Sequence, residues 1–497
     1  MPVAHRASAV PVLVIALLFG LAHMLTNGQY GFHRDEWQFL SDTRYLDWGY
    51  VPYPPLTVAL EYLGLKMFGL SLVGLRLFSV LAQVLVILTS GLMARDLGGG
   101  RRAQAFAAIA VGLSPLPMFQ ATEFQYSSFD LLWWVLIAWC VIRLMRDEEP
   151  RWWVAIGILA GLGLQTKYSM AFELAGVLAG VLFTDARRYV TSRWFWAGGA
   201  VALLIFAPNL VWLVRHDFVS YHFLQGIHAR DLGLGRADGF LRDQFLLNAN
   251  LFAAPVWLAG LFACFKDRRY RVLGWMYVVP LLLFMLAQGR FYYVAGSYPM
   301  LLAMGSVVGE CWLRTLRPAW RTGIPTLIVA GVFAVGIYAA LRIVPIASSG
   351  PLRDFALQNN ADLREEIGWD ELVAQVAAIR DTLPAERQAN LAIAVGNYGE
   401  YGAIALLGQR YRLPTPITTI NSGWLRGYPQ APPTTLIVLG NSLERANELL
   451  TDCRVAGHAT NALGVVNEET RDHPDILVCG PAREPWSELW RHGPDFG

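Results

Sequence analysis

Apolar runs long enough to cross a bilayer as helices recur from the start of the chain to about residue 344. Nothing else constrains the fold so strongly, because a chain in lipid must satisfy its backbone within helices or a closed barrel. Eleven spans are read, at about 8–26, 73–94, 103–120, 124–145, 152–166, 169–184, 194–214, 245–264, 272–288, 292–313 and 323–344. The fifth and sixth are short and joined by almost nothing. The first resembles a secretory signal, with His5 and Arg6 ahead of it. No small-x-small cleavage site precedes Gly31, so a retained helix is expected.

Charge placement tests this reading. Every second connection is short and basic: Arg95, Arg101 and Arg102; Arg143, Arg146 and Arg151; Arg187, Arg188 and Arg193; Lys266, Arg268, Arg269 and Arg271; Arg314, Arg317 and Arg321. By the positive-inside rule the N-terminus is cytoplasmic, and an odd number of spans puts the C-terminal region outside. The expected location is a bacterial inner (plasma) membrane. Of the 497 residues 55% are hydrophobic and 16% charged, too few charges for a soluble chain. The basic residues sit between apolar segments and form no stripe, which excludes nucleic acid as a partner.

Two outer connections are long. The first, about 27–72, carries two amphipathic stretches, DEWQFLSDTRYLDWG and PPLTVALEYLGLKMFG, suited to helices in the interface plane. The second, about 215–244, carries His216, Asp217, His222, His228, Arg230, Asp231 and Arg236, without metal-ligand spacing. Two domains are expected: a membrane domain over 1–345 and an extracytoplasmic α/β domain over 346–497. In the latter, WDELVAQVAAIRDTL reads as a helix. LAIAVGNYGEYGAIALLG and TTLIVLGNSLERANELL each read as strand then helix, and ILVCGP as a last strand. The glycines of VGNYGEYG lack the spacing of a nucleotide-binding loop. Cys453 and Cys479 can pair there if the region is outside the cytoplasm.

Charges at the outer face are costly unless they have a task. The densest set is His33, Arg34, Asp35 and Glu36. Adjacent carboxylates point to different sides of a helix start, so one can face a site while the other serves structure; alternatively Asp35 simply caps the helix. Glu123, Tyr126 and Asp130 recur at helical intervals and are expected on one face. Lys167, in LQTKYS, and Arg290, in QGRFYY, suit either a phosphate clamp or snorkelling to headgroups.

The order GFHRDEWQFL…YLDWGYVPYPPL, EFQYSSFD, GLGLQTKYSM and QGRFYYVAGSYPML resembles the bacterial members of glycosyltransferase family 39, relatives of protein O-mannosyltransferases and aminoarabinose transferases. The resemblance covers about 10–345 and the NYGEYGAIALLG stretch. It implies a GT-C fold, a polyprenyl-phosphate sugar as donor, and transfer of one sugar, with inversion, to a glycan, lipid or protein hydroxyl. It also implies that Asp35 is the catalytic base with Glu36 as its catalytic neighbour. Lys167 and Arg290 would hold the phosphate, with Arg34, Tyr126, Asp130 and Tyr53 at the substrate. Many relatives have His where this chain has Tyr53, so a role resting on that His does not carry over. No cofactor is required; adjacent carboxylates can hold a divalent metal, but paired cations would make it unnecessary. The rival reading is a transporter or flippase of a lipid-linked saccharide. Matching hydropathy halves and midplane polar residues, expected of transporters, are missing from the sequence. The resemblance fixes neither the sugar, hexose or pentose, nor the acceptor.

Overall fold

The computed structural model describes residues 8–496; His5 and Arg6 lie outside the described residues. Each apolar stretch falls on a helix: α1 (Val10–Thr26), α4 (Leu72–Asp96), α5 (Arg101–Gly112) with α6 (Pro115–Phe119), α7 (Tyr126–Asp147), α8 (Trp152–Leu164), α9 (Met170–Leu182) and α10 (Arg193–Arg215). The series continues with α12 (Phe240–Asp243), α13 (Ala254–Lys266), α14 (Arg271–Leu286), α15 (Tyr298–Leu313) and α16 (Pro318–Ile343). Among the described residues, five helices are long and apolar enough to cross a membrane on their own: α4, α7, α10, α15 with the 3₁₀ turn before it, and α16.

Two expected spans are broken. In 103–120, Pro115 forces Ser114 into an extended conformation, so α5 ends and α6 restarts. In 245–264 the helical segments Phe240–Asn248 and Leu251–Lys266 meet at 98°. Asn250 occupies the break, donating to the carbonyls of Leu113 and Val332 at 3.1 and 2.8 Å. Irregular backbone at that depth is tolerated because it is satisfied inside protein. Close backbone packing holds the bundle: a Cβ on Gly305 would lie 1.9 Å from the Val256 carbonyl oxygen, welding α13 to α15.

The long connections form α2 (Arg34–Asp42), α3 (Leu56–Phe68) and α11 (Val219–Gly233). After residue 350 come α17 (Pro351–Asn359), α18 (Ala361–Arg364), α19 (Trp369–Asp381), α20 (Ala385–Ala389), β1 (Leu391–Val395), α21 (Tyr398–Leu407), β2 (Thr435–Leu439), α22 (Leu443–Leu449), β3 (Arg454–His458) and β4 (Asp475–Cys479). The sheet order is β1-β2-β4-β3, with β1 and β2 parallel and the rest antiparallel. The edge strand β3 was not expected; RVAGH is exposed and carries little apolar alternation. Cys453 and Cys479 are bonded. This polar part does not stand apart, since Trp37 and Leu40 of α2 share one apolar core with Trp369, Val376, Ile404 and Ile437.

Candidate functional site

The start of α2 organises the site. His33, rather than Asp35, is the N-cap: its Nδ1 accepts from the Asp35 amide at 3.2 Å, and Glu36 returns to the His33 amide at 2.7 Å. Glu36 is fully buried and faces away from Asp35. Arg76 donates to both its oxygens at 2.9 and 2.7 Å, and the Phe124 amide adds a bond of 2.8 Å. The expected catalytic placement of Glu36 is therefore corrected to a structural one. With its oxygens taken, the adjacent pair offers no shared metal site.

Asp35 is half-buried and points elsewhere. Its Oδ1 accepts from the Tyr398 hydroxyl at 2.9 Å and its Oδ2 from Gln125 at 3.3 Å. Gln125 also donates to Glu123 at 2.6 Å. Burial pushes the Glu123 carboxyl well above its ordinary range, with nearby carboxylates adding to the effect. Glu123 lies before α7, whose N-cap is Gln125, so the expected shared face holds for Tyr126 and Asp130 only.

Lys167 sits in the turn between α8 and α9, where its ammonium lies 4.9, 5.2 and 4.6 Å from the ring centres of Tyr126, Tyr292 and Tyr293. Three aromatic faces around one cation hold it without neutralising it, and Lys167 makes no ion pair among the described residues. It opens on a small cavity lined also by Gln120, Ser127, Asp130 and Trp134. Asp130 accepts from Ser169 at 3.1 Å. Arg290 reaches the same group of rings, donating to the Tyr292 hydroxyl at 3.3 Å, but pairs with Asp231 of α11 through two bonds of 2.6 and 2.8 Å. Burial would raise the Asp231 carboxyl; Arg290 and Arg236 overcome that and hold it below the ordinary range. Gln125, which donates to Asp35, directly precedes Tyr126, whose ring lies against the Lys167 ammonium, so the chain brings the two groups to neighbouring positions.

Two other expected site residues have their polar groups taken by other partners, although the Tyr53 ring lies 6.0 Å from that of Tyr126. Arg34 pairs with Glu468 and lies 4.8 Å over the Tyr398 ring. Tyr53 is buried, and its hydroxyl donates to Asp42 at 2.6 Å; Asp42 in turn pairs with Arg426. Burial pushes the Asp42 carboxyl up to about 6 against the pull of Arg426 and Tyr53. Sequence reading did not single out Arg76, Gln125, Tyr292, Tyr293 or Tyr398 as site residues. Arg76 carried a signal, a lone charge inside an apolar span. Tyr398 carried none, lying 363 positions from its partner.

Comparison with known proteins adds a family. Residues 53–212 match the model of dolichyl-phosphate-mannose-protein mannosyltransferases. The chain is 24% identical, over 74% of its length and 77% of the relative's, to a lipid A galacturonosyltransferase of Rhizobium johnstonii. It is 25% identical, over 55% of its length and 51% of the relative's, to an undecaprenyl phosphate-α-4-amino-4-deoxy-L-arabinose arabinosyl transferase of Pseudomonas fluorescens. The crystal structure of ArnT from Cupriavidus metallidurans bound to undecaprenyl phosphate superposes with a TM-score of 0.56 at 15% identity, covering 95% of this chain and 98% of that one, which shows a shared fold. Residues 53–212 thus resemble the protein mannosyltransferases, the relatives matched over longer stretches are sugar transferases by name, and the chain as a whole shares the fold of ArnT.

Proposed function

We propose that this chain transfers a single sugar from a polyprenyl-phosphate donor to an acceptor hydroxyl on the non-cytoplasmic side of a bacterial inner membrane, inverting the anomeric centre. The observation that carries this is Lys167, a cation without an ion pair among the described residues, held at a cavity beside the ring of Tyr126, next in the chain to the Gln125 that binds Asp35. The ArnT structure holds undecaprenyl phosphate, and the relatives are sugar transferases by name, which supports the same class of donor here. The five basic connections support an outer face for the site, as does the Cys453–Cys479 disulfide in the C-terminal domain, 346–497.

In the reaction, Asp35 takes the proton of the acceptor hydroxyl as its oxygen attacks the anomeric carbon. The bond from that carbon to the phosphate oxygen breaks, and polyprenyl phosphate leaves with the electron pair. Lys167 stabilises the charge that grows on the phosphate. Arg290 adds to this field while its pairing with Asp231 fixes its orientation. Asp130 faces the same cavity and suits a sugar hydroxyl.

Purified protein given sugar-labelled undecaprenyl-phosphate donors and a membrane-lipid acceptor fraction is expected to release undecaprenyl phosphate only when acceptor is present, with an inverted product. Movement of intact donor across vesicles, without cleavage, would instead establish a flippase. Lys167→Met is expected to raise the donor KM by about 10–100-fold, the worth of a hydrogen bond to a charged group. An unchanged KM would remove Lys167 from the phosphate site.

A further inference from the structure

The NYGEYG stretch, which is no nucleotide loop, has a different task in the fold. Asn397 caps α21, accepting from the Glu400 amide at 2.8 Å, and Glu400 reaches back to the Gly396 amide at 3.2 Å. These two bonds fix the turn out of β1. Gly399 and Gly402 then lie on the side of α21 that meets α2. A Cβ at Gly402 would sit 2.1 Å from the Trp37 carbonyl oxygen, and one at Gly399 would sit 2.7 Å from the Trp369 ring. Gly402 thus brings the backbone of α21 against the helix that carries Asp35, while Gly399 leaves room for Trp369 of α19 and for Arg34 Cβ of α2, 3.1 Å away. The side chain between them and the cap is Tyr398. Its ring lies under the Arg34 guanidinium and its hydroxyl donates to Asp35 Oδ1.

We propose that Tyr398, delivered from the C-terminal part of the chain by this glycine contact, is a positioning residue for Asp35, so that the C-terminal part completes the active site instead of merely covering it. The inference rests on Asp35 being the base of the transfer reaction. Held by Tyr398 on one oxygen and Gln125 on the other, the carboxylate cannot rotate freely. It presents a fixed lone pair to the incoming hydroxyl, and such orientation is what a proton transfer in the transition state requires. Burial also raises the Tyr398 phenol above its ordinary range, so it stays a donor throughout the working pH range. A plain tether between the two parts of the chain would hold α21 on α2 but would have no reason to end on the reacting carboxylate.

The test uses the full chain. Tyr398→Phe keeps the ring under Arg34 and removes only the hydroxyl. It is expected to lower kcat about tenfold, the value of one hydrogen bond to a charged group, with donor KM and melting temperature unchanged. Combined with Asp35→Asn it is expected to add no further loss, because both changes act through one carboxylate. Gly402→Ala, which pushes α21 off α2 with Tyr398 intact, is expected to reproduce the kcat loss. A Tyr398→Phe rate within about twofold of the unaltered protein, or losses that multiply independently in the double variant, would overturn the proposal. Normal transfer by Asp35→Asn alone would instead remove the base, and with it the reading on which the proposal rests.

Discussion

Asp35→Asn is expected to slow sugar transfer by about 10²–10⁴-fold, the usual cost of losing a general base, while leaving the protein folded and able to bind donor. The substitution is nearly isosteric. Asn still accepts from the Tyr398 hydroxyl through its side-chain oxygen, but its amide cannot take the acceptor's proton. The fold loses little, because Asp35 is half-buried and makes no ion pair among the described residues. Removing a negative charge from the first turn of α2 costs about 0.3–1 kcal/mol. Transfer kinetics, donor affinity and thermal melting, measured on one preparation, separate these effects. A fall in melting temperature matching the fall in rate would recast Asp35 as structural. Glu36→Gln has the opposite signature: a stability defect first, since its carboxylate serves Arg76 and two backbone amides.

The features legible in the sequence are those that depend on neighbouring positions. Each apolar run falls on helix, because the length of an apolar run is a local property, whereas α11 in the polar connection 215–244 was not expected. The broken span at 112–115 was equally local in principle, since Pro115 and Pro117 stand in plain view. Adjacent Asp35 and Glu36 meet different partners, Tyr398 and Gln125 for the first, Arg76 and two backbone amides for the second. The burial of Glu36 depended on Arg76, placed 40 positions away. Long-range contacts explain the other differences. Tyr53 and Arg34 look like site residues beside the acidic cluster, but Asp42 with Arg426 claims the first and Glu468 the second. Arg426 and Glu468 come from the C-terminal part, whose docking on α2 no local pattern announces.

Arg76→Met is expected to destabilise the protein by about 3–5 kcal/mol, the cost of leaving a buried charge without its partner. Arg76 is fully buried in α4. Besides Glu36 it binds the Asn27 and Gly31 carbonyl oxygens at 3.0 Å each, and it lies 3.2 Å from Glu366. It therefore joins α1, α2, α4 and the segment that leads into the C-terminal part. Burial pushes Glu366 up to about 8, with Arg76 pulling it down and Glu36 pushing it up; Arg76 directs two side-chain hydrogen bonds to Glu36. Met preserves the volume of the side chain but leaves Glu36 only the His33 and Phe124 amides. The double variant Arg76→Met/Glu36→Gln removes both charges and is expected to recover much of the lost melting temperature. A single variant that melts like the unaltered protein would mean that the pair does not hold the two parts together. A double variant no better than the single would mean that the Asn27 and Gly31 carbonyls matter more than the charge. Because α2 is fixed through this cluster, loss of Arg76 should also loosen Asp35, so surviving folded protein should show slower transfer even though the mutated side chain faces away from the cavity.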